Sequence, residues 1–134
     1  MNDLATEWAE KAEGDFHVAQ RELRVRRAPN YDACCFHAQQ SAEKYLKAFL
    51  VLQKIDPPRT HNLVDLLNLC VVRDRSFELI RSALELLNAY AVDIRYPGES
   101  ATKEEARDAV KAMKQVREFA LLKIGRIDRS KRKH

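Results

Sequence analysis

Five residues of this chain have the right chemistry for a ligand site, at positions that helices and loops can bring together: His37, Lys44, His61, Arg95 and Tyr96. A guanidinium such as Arg95 grips a phosphate through two parallel hydrogen bonds, and an ammonium such as Lys44 adds a point charge. A histidine can take or give a proton near neutral pH, so His37 and His61 are the candidate bases. Tyr96 lies between Arg95 and the turn-forming pair Pro97-Gly98. Arg95, Tyr96, His37 and Lys44 are therefore expected to line one polar cleft for a phosphate-bearing ligand. Each also has a plain structural reading. His61 can bond backbone at a helix start, His37 can be a solvated member of a polar stripe, and Lys44 can pair with carboxylates. Arg95 can cap helix carbonyls, and Tyr96 can simply pack. Glycine-rich phosphate loops, HExxH, CxxC and GxSxG are absent from the sequence.

The stretch 31–53 must position most of this set. Tyr31, Cys34, Cys35, Ala38, Ala42, Tyr45, Leu46, Phe49 and Leu50 recur at helical spacing and mark one apolar face. His37, Gln40, Lys44 and Lys47 form a polar stripe along another side. Glu43 precedes Lys47 by four residues, the favoured order for an ion pair, worth ~0.3 kcal/mol on an exposed face. A first helix is predicted from Asn2 or Asp3 to about Arg27, burying Leu4, Trp8, Ala12, Phe16, Ala19 and Leu23. Arg21, Arg24, Arg26 and Arg27 crowd its end, as a solvated terminus that suits the helix dipole or as a contact for phosphate. Asn30 is expected to cap the central helix, Thr60 or Asn62 a short helix over 63–72, and Ser76 a helix from Phe77 to about Ile94. That last helix carries a second apolar row, Leu79, Ala83, Leu86 and Tyr90, which either lies inside the bundle or forms a dimer interface. Thr102 and Glu105 make a capping box for a final helix ending near Ile124.

Composition supports this outline. The 134 residues suit one domain, and three Gly and four Pro argue for long helices over a turn-rich β fold. The expected fold is all-α, an up-and-down bundle of four long helices and one short one over 1–124, followed by a basic tail at 125–134. The net charge of +4 comes from the end of the chain, because residues 123–134 hold six Lys/Arg against one Asp. Such a tail can attract nucleic acid without specificity or be a solvated end. Neither a secretory signal nor a run of ~20 apolar residues is visible, so a cytoplasmic protein with no membrane association is expected. Cys34, Cys35 and Cys70 are an odd number, and the first two are adjacent on a helix. They read as reduced, buried thiols, with no metal site and no cofactor.

The segments FHAQQSAEKYLKAFL, PRTHNL with LVDLL, and DIRYPG, in this order and spacing, resemble the HEPN domain (higher eukaryotes and prokaryotes nucleotide-binding domain) over about 4–124. The resemblance implies a helical bundle, often dimeric, frequently paired with a minimal nucleotidyltransferase in toxin–antitoxin-like systems. Many members are metal-independent RNases with an Arg-x4–6-His motif. Arg95 stands where that arginine is expected, but Ser100, Ala101 and Thr102 occupy the positions where the histidine would fall. Arg129 and His134 match the spacing only within the basic tail. The expected function is a homodimeric module that binds a nucleotide or RNA and acts with a nucleotidyltransferase partner. The alternatives are an endoribonuclease toxin, with His37 or His61 as base, and a non-catalytic dimerisation scaffold.

Overall fold

The computed structural model describes residues 3–91 and 96–132, with side chains through residue 125. It contains α1 (Asp3–Arg24), α2 (Tyr31–Leu52), α3 (Leu63–Arg73), a 3-10 turn (Arg75–Ile80), α4 (Arg81–Asn88) and α5 (Lys103–Arg132). No strand occurs among the described residues. The all-α bundle expected from the sequence is the fold.

Helix α2 is the central element. It packs on α1, α3, α4 and α5, and from Cys34 to Leu52 few of its residues reach solvent. Helix α1 runs antiparallel to it, as the pairings Ala19 with Cys34 and Asp15 with Lys44 show. Helix α5 runs beside α2 in the same direction. Its first residues lie near Asp32, whose carboxylate accepts from the Ala101 N–H at 2.7 Å. Alanines let the three long helices approach closely. Ala12, Ala19, Ala38, Ala42, Ala109 and Ala120 are all fully buried. Where α2, α5 and the 3-10 turn meet, Phe77 sits between Phe49 and Phe119, with ring centroids 4.4 and 4.9 Å away.

Helix starts follow local chemistry. Asn30 accepts from the Ala33 N–H, and Asn62 from Val64 and Asp65. Thr102 and Glu105 exchange hydrogen bonds of 3.0 and 3.1 Å as a capping box.

Elsewhere the structure departs from the pattern reading. Helix α1 ends at Arg24, three residues early, and the chain turns through Ala28 at a φ of 48°. Leu4 is 52% exposed, and Ala5 takes the buried place assigned to it. Asp74, not Ser76, caps the segment after α3, accepting from the Ser76 N–H and hydroxyl. The helix expected over 77–94 is divided into the 3-10 turn and α4, which ends at Asn88. A 3-10 turn has three residues per turn and an α-helix 3.6, so Leu79 falls out of register with the row's residues on α4. Ala83 enters the core and Tyr90 packs against it, while Leu79 and Leu86 stay exposed. Helix α5 continues to Arg132 instead of stopping near Ile124, so the basic tail begins as helix.

The Phe49–Phe77–Phe119 stack ties three elements together through one ring. Phe77→Ala removes its middle member and is expected to cost about 3–5 kcal/mol. Urea denaturation checks this through a lower midpoint at an unchanged slope.

Candidate functional site

The polar stripe of α2 faces the protein, not solvent. His37 Nδ1 lies 2.7 Å from one Asp15 oxygen, and Lys44 Nζ donates to the other. Close by on α1, Glu13 accepts from the Tyr45 hydroxyl and from Arg117 Nε, the latter at 2.7 Å. Burial raises the Glu13 pKa, but the hydrogen bonds from Arg117 and Tyr45 outweigh it and hold the carboxyl below the usual carboxylate range. The Arg117 guanidinium also stacks over Phe16, 4.6 Å from the ring centroid.

The expected Glu43–Lys47 ion pair forms, at 3.1 Å, but buried: the two side chains are only 3% and 7% exposed. Glu43 also takes His61 Nδ1 at 2.8 Å, and Lys47 lies 5.3 Å from the centre of the Trp8 ring. Gln39 donates to the His61 carbonyl at 2.9 Å. These contacts fix the 53–62 connector to α2. His61 is therefore pinned through both its ring and its backbone, while much of its imidazole remains in solvent.

The five residues singled out from the sequence thus fall into separate settings. His37 and Lys44 meet on Asp15, and His61 meets Glu43. Tyr96 is exposed in the loop before α5, where its carbonyl accepts from the Glu99 N–H in a turn. Arg95 lies outside the described residues, and the cleft expected around it lies outside with it. The three cysteines are buried and unbridged. Burial pushes the Cys34 and Cys70 thiols up to about 12, so neither offers a thiolate near neutral pH. Among the described residues, no cluster of three His, Cys, Asp or Glu could hold a metal ion.

A different site emerges at the end of the bundle where α1 stops and α2 and α5 begin. Leu23, Arg24, Val25, Arg26, Pro29, Tyr31, Lys103 and Arg107 line an open cleft of about 570 Å³. Its four cations form no ion pair with any described residue. The nearby carboxylates are otherwise engaged: Glu22 accepts from the Asn30 N–H at 3.3 Å, and Asp32 from Ala101. Two helix N-termini, each carrying a partial positive charge, open towards this end against one C-terminus. The arrangement can bind an anion by charge and by guanidinium hydrogen bonds. The Arg cluster ending α1 is half of it. Its other half, Lys103 and Arg107 one turn apart on α5, was legible only as an ordinary exposed helix face.

The chain matches the HEPN domain over residues 5–124 and belongs to that family. Among solved structures, it is similar to TT1696 from Thermus thermophilus, at 26% identity and a TM-score of 0.73, covering 91% of this chain and 99% of that one. ST0689, described as an archaeal HEPN homologue, shares the fold at 23% identity and a TM-score of 0.71, over 92% of this chain and 97% of that one. No curated protein matches. No helix among the described residues is long and apolar enough to cross a membrane.

The Glu43–Lys47 pair gives a direct test of what the stripe does. Glu43→Ala leaves a buried ammonium without its partner and is expected to cost about 3–5 kcal/mol. Adding Lys47→Met should recover most of that loss, because an apolar side chain of similar length then fills the space. Thermal unfolding of the single and double variants reads both effects.

Proposed function

We propose that this HEPN-family chain is a binding and regulatory module for a phosphate-bearing ligand, a nucleotide or RNA, and that it works with a minimal nucleotidyltransferase partner in a toxin–antitoxin-like system. The observation that carries the ligand reading is the unpaired cationic cleft formed by Arg24, Arg26, Lys103 and Arg107. Four positive groups gathered at one cleft with no ion-pair partner repel one another, and an anion relieves that repulsion. The family's frequent pairing with nucleotidyltransferases supports the partner. The engagement of His37 and Lys44 by Asp15, and of His61 by Glu43, favours supporting structural roles for these three residues, and Arg95 and Tyr96 stay as proposed ligand contacts.

Charge reversal tests the ligand reading. Arg24→Glu with Arg107→Glu should weaken binding of RNA or nucleotide about tenfold or more and flatten its salt dependence. Arg75→Glu, on the exposed side of the 3-10 turn, should change neither. Equal binding by all three proteins in a filter or fluorescence assay would remove the cleft from the ligand site.

The homodimer is part of the same proposal. Leu79 and Leu86 are exposed at 73% and 41%, and Leu86 borders a groove between α4 and α5 with Ser82, Asp108, Lys111 and Gln115. A second copy covering this groove would bury Leu86. Light scattering should give about twice the 15.5 kDa chain mass. Leu86→Glu should return it to the monomer value without loss of helical circular dichroism. A monomeric parent protein at micromolar concentration would overturn the dimer.

A further inference from the structure

Anchoring the connector uses one nitrogen of the His61 ring and leaves the other. Nδ1 lies 2.8 Å from one Glu43 oxygen, and Lys47 Nζ donates to the second oxygen at 3.1 Å. A carboxylate that also binds an ammonium can only accept, so a neutral imidazole here carries its hydrogen on Nδ1 and its lone pair on Nε2. Nε2 has no hydrogen-bond or ion-pair partner among the described residues. The Glu43 side chain is 3% exposed and that of His61 67%. A buried carboxylate thus presents a fixed lone pair to solvent.

The other described histidines lack part of this arrangement. His17 is 64% exposed, but its Nε2 stands 3.8 Å from Glu13, too far for a hydrogen bond that would fix the tautomer. His37 repeats the unit, with Nδ1 on one Asp15 oxygen and Lys44 on the other, yet its side chain is only 30% exposed and meets Phe36 edge-on.

An exposed, oriented imidazole nitrogen can serve as a metal ligand, a base or a nucleophile. No cluster of three His, Cys, Asp or Glu among the described residues completes a metal site around it. A base acts on a substrate held against it, and His61 lines neither the cationic cleft nor the grooves at Trp8 and Leu86. A nucleophile needs only access and an activated partner. Attack on phosphorus suits this nitrogen. It puts positive charge on the ring, against Glu43, and leaves the anionic phosphoryl oxygens in water. His61 also directly precedes Asn62, the N-cap of α3, and a helix start favours an anion.

We propose that His61 is a phosphoryl-acceptor histidine, modified at Nε2 by a donor with a phosphorus–nitrogen bond, such as a phosphohistidine of a second protein. The Nε2 lone pair attacks phosphorus and forms the new P–N bond. The donor's P–N bond breaks, and its electron pair leaves on the donor nitrogen. Nδ1 keeps its hydrogen, and Glu43 balances the charge that the ring gains. The modification adds about two negative charges at the corner where the connector, α3 and α4 meet, because Asn88 at the end of α4 bonds both Asn62 and the Leu63 N–H.

Incubation of the full chain with phosphoramidate at neutral pH, followed by site-mapped mass spectrometry over time, tests this. The chain has four histidines, and each is a reference for the others. His61 should be labelled first, at least about tenfold faster than His17, with His37 slower than His61. His61→Asn should remove the fast label and keep the helical circular dichroism. Glu43→Gln with Lys47→Met takes out the orienting charge and its ammonium together, and should bring His61 down to the rate of His17. Because that variant alters buried groups, nitrogen NMR of the parent chain gives a second measure and should find the Nδ1–H tautomer at His61. Labelling of His17, His37 or His134 as fast as His61, an unchanged His61 rate in the folded double variant, or the Nε2–H tautomer at His61 would overturn the proposal.

Discussion

The burial of α2 on nearly every side governs this structure. This helix of 22 residues keeps polar positions although it lies at the centre of the bundle. Most of them are satisfied internally, the Ser41 hydroxyl being the exception among the described buried side chains. Asp15 from α1 takes His37 and Lys44, and Glu43 takes Lys47 and His61. Asp15 serves two donors and Glu43 three, counting Gln40 at 3.4 Å, and the contacts from Asp15 and to His61 fix one element against the next. The apolar face supplies most of the burial energy and the charged stripe supplies much of the specificity. The buried Glu43–Lys47 pair lies within α2 and gains little net stability over apolar packing, whereas the contacts that cross between elements, Asp15 with His37 and Lys44 and Glu43 with His61, penalise a shifted packing.

The same stripe explains why the groups most suggestive of catalysis are not free. His37 has an orienting carboxylate, as a catalytic histidine would, yet Lys44 occupies the other oxygen of that carboxylate. His61 is held through its ring and its carbonyl, an arrangement suited to anchoring a proline-stiffened connector. The cations of the cleft lie elsewhere, where one helix ends and two begin. The body is neutralised internally, while the cleft cations and the basic stretch that ends α5 leave positive charge at both ends of that helix.

Much of the fold was legible in the sequence because its determinants are local. Apolar spacing in 31–53 marks α2, and Asn30, Asn62 and the Thr102/Glu105 pair cap helices within three residues of themselves. Family membership was legible for a related reason, since three short segments carry it in a fixed order. The break inside 77–94 was not. Its periodicity suits an α-helix, and the departure at 75–80 places Phe77 between Phe49 and Phe119, an arrangement that depends on residues far along the chain.

For the candidate site, the sequence by itself determined which residue types were present: the arginines ending α1, the polar row on α2 and the Arg-Tyr-Pro-Gly segment. It could not determine which of them would be neutralised. Asp15 stands 22 residues from His37 and 29 from Lys44, and nothing in local spacing links them. Arg24 and Arg107 are brought to one cleft only by the packing of α1 and α5 on α2. Local propensity acts over a few residues, whereas charge pairing acts through space. The helices were therefore written in the sequence, and only the tertiary structure decided which charges remain available to a ligand.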